Sequence, residues 1–380
     1  MTDKDKKNAL EFFPPTLIRE ARREDDEAIC ALMKRTFMPG RIPLTMDCQP
    51  SFFSAIDVEG YVHRTAVAEN NHRIVGVVSM SKRRLYLNGV PEDFGYIGGL
   101  RIDSSLRNTT ILVRLHNILK KWHQEGFGVR FYLSAIPYDN VGARNIMTSG
   151  RAGFPDCTDM GVLYNAAIPL FRRRLPRPQK GLRIVRGTAV GADAIAEFLN
   201  RNGSRRQFFP VYTADDITAD NGILRGLHPD DFYVAVEKDK IRGAMACWDQ
   251  LPFRRMLIAD YPWYLHWFKR LSAPLAGILH TAPMPEPGEP LRNIVAACIA
   301  IENNHPKIFN LLLQTILHDH YDTGKAFLVV GLMEKDPLIS ALKSRLHIST
   351  RTCIYMMSGN GYNILSEMDE RPPYLELGAL

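Results

Sequence analysis

The chain has 380 residues, of which 46% are apolar, 23% charged and 9% aromatic. Those values exclude a disordered, collagen-like or low-complexity chain, and the length suggests about two or three domains of roughly 100–200 residues. Lysine and arginine total 48 against 41 acidic residues, a net charge of +7, which allows an anionic ligand such as a phosphorylated cofactor without demanding nucleic acid.

Residues 1–15 read as an N-terminal tail whose charged start, Met1–Lys7, leads into no apolar core, so no secretory signal is expected. No run of about 18 uncharged apolar residues is present, which argues against a membrane-spanning helix. Cys30, Cys48, Cys157, Cys247, Cys298 and Cys353 are scattered, with no paired or zinc-like spacing. They read as free thiols in a reducing compartment. A cytoplasmic protein without a metal is the expectation.

In chain order, Leu17–Glu20 predicts a short strand, followed by a helix capped near Asp26 with apolar residues at Ile29, Leu32 and Met33. Thr65–Glu69 and Arg73–Ser79 flank an Asn-Asn-His turn and predict a β-hairpin. Tyr96–Ile102, Leu106–Trp122 and Val129–Ile136 read as strand, helix and strand, a βαβ unit with locally parallel pairing. Phe171–Gly181 carries two prolines and five cations and predicts an exposed linker.

The same order then repeats. Leu182–Leu199 predicts strand and helix, Phe232–Glu237 with Ile241–Ala246 a hairpin, and Asn293–Ile301, Pro306–His318 and Ala326–Leu332 a second βαβ unit. A proline-rich break, Thr281–Pro290, precedes that unit. The chain therefore divides into a tail 1–15, a unit 16–170, a linker 171–181, a second unit 182–360 and a C-terminal tail 361–380.

Three further features carry less. His318-Asp319-His320 ends a predicted helix, where alternate side chains point apart, as surface histidines do rather than metal ligands. The aromatic run Tyr261–Phe268 either walls a pocket or covers the seam between the units. Ser134 has no nucleophile-elbow pattern around it, and no P-loop or dinucleotide fingerprint is present.

Four segments stand in a recognisable order: Ile18-Arg19-x-Ala21 with Asp25, Asp26, Ala28 and Ile29; Arg73–Gly76; Leu100–Leu115; and Asn140-Val-Gly-Ala143 leading to Gly153-Phe154. With them the chain resembles the GNAT N-acetyltransferase family, as two GNAT-like domains in tandem with an α/β fold built on a mixed sheet. The second half matches in element order and not in motifs.

The resemblance implies a V-shaped opening between Tyr96–Ile102 and Val129–Ile136 that takes acetyl-CoA or another acyl-CoA as co-substrate. The pyrophosphate would sit at the N-terminus of the next helix, where free amides and the helix dipole favour an anion. The implied donor-binding residues are Leu100, Arg101, Ile102, Arg107, Asn108, Thr109, Thr110, Ile111, Leu112 and Asn140. Thr110 and Leu112 stand where the family has glycines. Tyr138 is the implied general acid, since Met147 occupies the usual tyrosine position, and Glu92 or Asp93 the implied base.

The implied function is acyl-CoA-dependent N-acylation of a small-molecule or peptide amine by direct attack on the thioester, with a strand amide near Ile102 polarising the carbonyl. Two alternatives stay open. One is an aminoacyl-tRNA-dependent transferase of tandem GNAT-like architecture, which would bring tRNA as a partner. The other is a non-catalytic acyl-CoA-binding or scaffold protein.

Overall fold

The computed structural model describes residues 16–40, 43–106, 110–149, 157–176, 181–261, 285–358 and 363–380. The predicted tail 1–15, Arg107–Thr109, the Gly153-Phe154 pair, part of the basic linker and the aromatic run after Tyr261 lie outside the described residues.

Fourteen strands follow one another along the described chain: β1 (Leu17–Glu20), β2 (Leu44–Asp47), β3 (Val62–Asn70), β4 (Arg73–Leu87), β5 (Val90–Ile102), β6 (Phe131–Pro137), β7 (Cys157–Pro169), β8 (Leu182–Arg186), β9 (Phe232–Glu237), β10 (Lys240–Trp248), β11 (Arg255–Ile258), β12 (Asn293–Ile301), β13 (Phe327–Met333) and β14 (Ile348–Ser358). Twelve form one mixed sheet in the order β1-β3-β4-β5-β6-β14-β7-β13-β12-β10-β9-β8, and β2 pairs with β11 beside it.

Read inward from its two ends, the sheet carries corresponding strands of the two halves in the same order. The centre breaks the pattern, because the last strand of each half lies with the other half. β14 pairs antiparallel with β6 along Thr352–Ser358, and β7 pairs antiparallel with β13 along Leu163–Pro169. β14 and β7 then pair with each other. The halves adjacent in sequence are thus interleaved in space, and neither has an open sheet edge at the junction.

Burial explains why these segments are strands. β12 is apolar almost throughout and buried from Ile294 to Ile301, as a strand covered on both faces must be. The helix Ile111–Trp122 turns Ile111, Leu115, Leu119 and Trp122 onto β3 and β4. In the second half, Pro306–Asp319 does the same with Phe309, Leu312, Leu313, Ile316 and Leu317. The largest apolar cluster joins second-half residues to Val58, Tyr86, Ala166 and Ile168 of the first.

The hairpin of β4 and β5 also reaches across. Tyr86 N donates to Phe209 O at 2.9 Å and Phe208 N to Tyr86 O at 2.7 Å. At its tip the Gln207 side chain accepts from Asn88 N at 2.8 Å and donates to Asn88 Oδ1 at 2.7 Å. The predicted C-terminal tail is tied in as well: Tyr374, Leu375, Glu376 and Ala379 are buried. No helix among the described residues is long and apolar enough to cross a membrane.

The exchange makes a prediction. A fragment ending at residue 176 lacks β14, the strand between β6 and β7. Alone it should melt without a cooperative transition by circular dichroism, and co-refolding with residues 181–380 should restore one. A cooperative melt of the isolated fragment would show that the exchange is not needed for folding.

Candidate functional site

The site begins where two parallel strands separate. β5 and β6 are in register only at Gly95 with Tyr132 and Tyr96 with Leu133. Beyond Tyr96, β5 continues against β4 while β6 continues against β14. One bridge crosses just above the apex, where Ser134 Oγ donates to Ile97 O at 3.0 Å. The apex requires Gly95, since a Cβ there would lie 2.2 Å from the Tyr132 ring.

A β-bulge sits on the wall of this opening. Val77 faces Arg101 and Ser79 faces Gly98, so Gly99 and Leu100 together oppose the single residue Val78. Gly99 has φ +64, a conformation that glycine takes without steric cost. The second half repeats the device: Ala244 faces Ala300 and Ala246 faces Ala297, which leaves Cys298 and Ile299 in the bulge, Cys298 at φ 52.

The two bulges differ in what meets them. Cys298 N donates to Glu376 Oε2 at 2.8 Å and Ile299 N to Tyr374 Oη at 3.1 Å. Tyr212 and Tyr374 hydroxyls also donate to Glu376, at 3.1 and 2.9 Å. The C-terminal segment therefore covers the second bulge. At the first, no side chain among the described residues accepts from Gly99 or Leu100 N.

The helices after the two bulged strands also start differently. Residues 107–110 separate the 3-10 turn Ser104–Leu106 from the helix Ile111–Trp122, whose cap Thr110 makes no side-chain bond. In the second half only His305 separates Glu302–Asn304 from the helix Pro306–Asp319, and its ring nitrogen accepts from Lys307 N at 3.3 Å. The second helix start is capped by a side chain.

Near the apex lies Glu59, 5% exposed. Its carboxylate accepts from Ser79 Oγ at 3.5 Å, and the same hydroxyl contacts Gly98 O at 3.2 Å. Burial lifts the Glu59 carboxyl from its ordinary 4.5 to about 7, with the Arg254 charge and the Ser79 hydrogen bond pulling the other way. Tyr96 stands beside it, and burial together with the Glu59 charge pushes its phenol above the ordinary range. Glu59, Tyr96, Arg83, Glu376 and Leu380 share the lining of a cavity of about 30 Å³, room for one water.

The sequence-predicted residues are distributed around this centre. Leu100, Arg101 and Ile102 lie on β5 in the separated region, with Leu100 exposed. Thr110 is exposed, Ile111 buried and Leu112 half-buried at the helix start. Arg107, Asn108 and Thr109 fall outside the described residues. Asn140 caps the helix Val141–Thr148, its Oδ1 accepting from Ala143 N at 3.2 Å. Tyr138 lies between two guanidiniums, Arg351 at 4.0 Å and Arg144 at 4.6 Å from its ring centre.

Glu92 and Asp93 are within β5 rather than before it, because the turn falls earlier, at Asn88-Gly89. Glu92 pairs with Arg130 at 3.5 Å and Asp93 with Arg84 at 3.3 Å. His318 and His320 contact separate partners, Arg173 O at 2.9 Å and Tyr233 Oη at 3.2 Å.

Sequence reasoning passed over Glu59, Arg254 and the role of Tyr96. A signal was present for two of them. Glu59 is a carboxylate that follows Phe52–Val58, a run apolar but for Ser54 and Asp57, and Tyr96 sits in Gly95-Tyr96-Ile97-Gly98-Gly99, where glycines inside a strand mark a bulge or a close approach. Arg254 comes from the other half and is brought in only by the fold.

Glu59 makes stability depend on pH. Its folded-state pKa is raised, so the folded chain holds the proton more tightly than the unfolded chain, and stability falls as pH rises from 4.5 to about 7. Urea denaturation should show a loss of up to about 3 kcal/mol across that window, and Glu59→Gln should flatten it. An unchanged slope in the variant would mean that Glu59 ionises as an exposed carboxylate does.

No family model matches the sequence, and no curated protein matches it. Solved structures do. A GCN5-related N-acetyltransferase from Sphaerobacter thermophilus aligns over 97% of this chain and 100% of its own, with TM-score 0.55 and 13% identity. One from Anabaena variabilis covers 91% of this chain and 73% of its own at TM-score 0.49 and 8% identity. One from Kribbella flavida covers 90% and 71% at TM-score 0.48 and 9% identity. On the first of these, the chain has the GCN5-related N-acetyltransferase fold along nearly its whole length.

Proposed function

We propose that the chain is an acyl-CoA-dependent N-acyltransferase whose donor occupies the opening between β5 and β6. One observation carries this reading: the first bulge is left uncovered at an open strand pair, while its twin in the second half is covered by Tyr374 and Glu376. An uncovered bulge directs backbone amides at the place where a thioester carbonyl develops negative charge. The helix start at Ile111, with no side chain of Thr110 capping it, suits a diphosphate. The second half, whose bulge is covered and whose helix start is capped by His305, is assigned a structural role.

On this reading Glu59 is the base. A carboxyl poised near neutrality accepts a proton from an ammonium acceptor more readily than an ordinary exposed carboxylate. The freed amine attacks the thioester carbon, the C–N bond forms, the C–S bond breaks, the thiolate takes the Tyr96 proton, and the second proton leaving the nitrogen returns Tyr96 to its phenol. Tyr96 suits that step because its surroundings keep the phenol protonated. Glu92 and Asp93 are engaged by arginines and Tyr138 is clamped by two more, which favours Glu59 and Tyr96 for the chemistry.

Acetyl-CoA and a series of longer acyl-CoAs should raise the melting temperature with a saturating dose response. In turnover with an amine panel, Tyr96→Phe should lower kcat by about 10²-fold or more with little change in the KM for acetyl-CoA. Absence of any thermal shift across the series would overturn the donor site. A Tyr96→Phe enzyme with wild-type kcat would remove Tyr96 from the mechanism.

A further inference from the structure

We propose that the second half, besides its structural role, binds a small oxyanion, a phosphate or a carboxylate, in a cavity at the end of β12. The cavity holds about 170 Å³. Three stretches of chain wall it: Asn202, Arg205 and Arg206 at the end of the helix Ala192–Gly203, the strand end Ile299–Ile301, and Asn303 and Asn304 of the following 3-10 turn. It is several times larger than the one-water space beside Glu59. A cavity of about 150 Å³ takes a molecule the size of benzene, so this one has room for phosphate, malonate or pyrophosphate.

The lining decides the chemistry. Two arginines and three asparagines supply its polar side chains, and no carboxylate belongs to it. A guanidinium offers N–H donors only, and a carboxamide offers two donors with one acceptor oxygen. Asn202 Nδ2 is engaged by Phe198 O at 2.9 Å. Asn304 Oδ1 is taken by Arg206, and its amide nitrogen has no partner among the described residues. The open valences of the wall are therefore mainly donors, on Arg205, Asn303 and Asn304. A ligand that answers them is rich in acceptors and negatively charged.

Arg206 is set up for such a ligand. It is 6% exposed and fixed in place, Nη1 donating to Asp336 Oδ2 and Nη2 to Asn304 Oδ1, both at 2.5 Å. Asp336 is not part of the lining, and its other oxygen accepts from Leu338 N at 2.8 Å. That carboxylate offsets Arg206 and leaves the cavity with the charge of Arg205, which has no carboxylate within ion-pair distance among the described residues. Guanidinium nitrogens without partners also occur at Arg173 and Arg345, but there they are sealed in the packing. Here the donors border a space that a ligand can enter. An oxyanion would meet them with charge-assisted hydrogen bonds, and the ordered Arg206 needs no further immobilisation to take part.

Isothermal titration of the full-length chain at constant ionic strength tests the site. The probes are phosphate, pyrophosphate, malonate and citrate, with malonamide as the uncharged counterpart of malonate. At least one oxyanion should bind with a Kd of about 1 mM or tighter. The first two probes identify a phosphate source and the next two a carboxylate source. Arg205→Met and Asn303→Ala, both at exposed positions, should leave the melting temperature unchanged, and at least one of them should weaken binding about ten-fold or more. Binding should persist with acetyl-CoA present in excess, because the donor opening lies between β5 and β6.

No binding by any of the four oxyanions, malonamide binding as well as a binding malonate, full binding by both variants, or displacement by acetyl-CoA overturns the inference. Failure of acyl-CoAs to shift the melting temperature is a separate result. It strikes the donor site and leaves the oxyanion titration and its variants to decide on this one.

Discussion

β5 and β6 part company after Tyr96, and the candidate site depends on that parting. Each strand is held on its outer side by a long antiparallel partner, β4 for the one and β14 for the other. Sheet twist accumulates between those partners, and the bulge at Gly99-Leu100 bends β5 further. Parallel pairing is the weaker kind of ladder, so the β5–β6 seam is the one that yields. The opening is therefore a consequence of how firmly its two walls are anchored.

The same arrangement occurs twice and is used differently. Both halves carry the bulge, both separate their parallel strands just before it, and both follow with a helix. In the second half the backbone donors of Cys298 and Ile299 are satisfied by Glu376 and Tyr374, as buried amides must be. The segment that satisfies them also lines the cavity beside Glu59 and Tyr96 in the first half. One stretch of chain thus closes the second site and shapes the first. Strand exchange makes this reach short, because it interleaves the halves around β14 and β7.

Electrostatics at the first site runs against the rule that buried charge is paired. Glu59 relieves the problem by holding a proton up to about pH 7. Arg83 keeps one hydrogen bond, to Val58 O at 3.1 Å, with Nε and Nη2 buried and without partners. Groups left in this condition lower stability by about 1–3 kcal/mol, or more when charged, and sites of chemistry are where folds tolerate such a cost. The burial that raises Glu59 also keeps Tyr96 protonated, so one apolar wall prepares a base and an acid.

Much of the fold was legible in the sequence because it is local. Apolar periodicity over Leu106–Trp122 and Pro306–His318 marked the helices found at Ile111–Trp122 and Pro306–Asp319, alternation around Asn71-His72 marked the first hairpin, and the recurrence of the whole order marked a second half. Those patterns depend on neighbours within a turn or a strand. Pairing across the chain does not, so nothing in Cys157–Pro169 or Ile348–Ser358 announced that the two strands trade places. Nor could the sequence bring the Arg254 charge to bear on Glu59, some 195 positions earlier, or turn Glu376 onto the amide of Cys298. Residue types and local geometry are written in order along the chain, whereas burial, and the charge states that follow from it, exist only once distant segments have closed the same space.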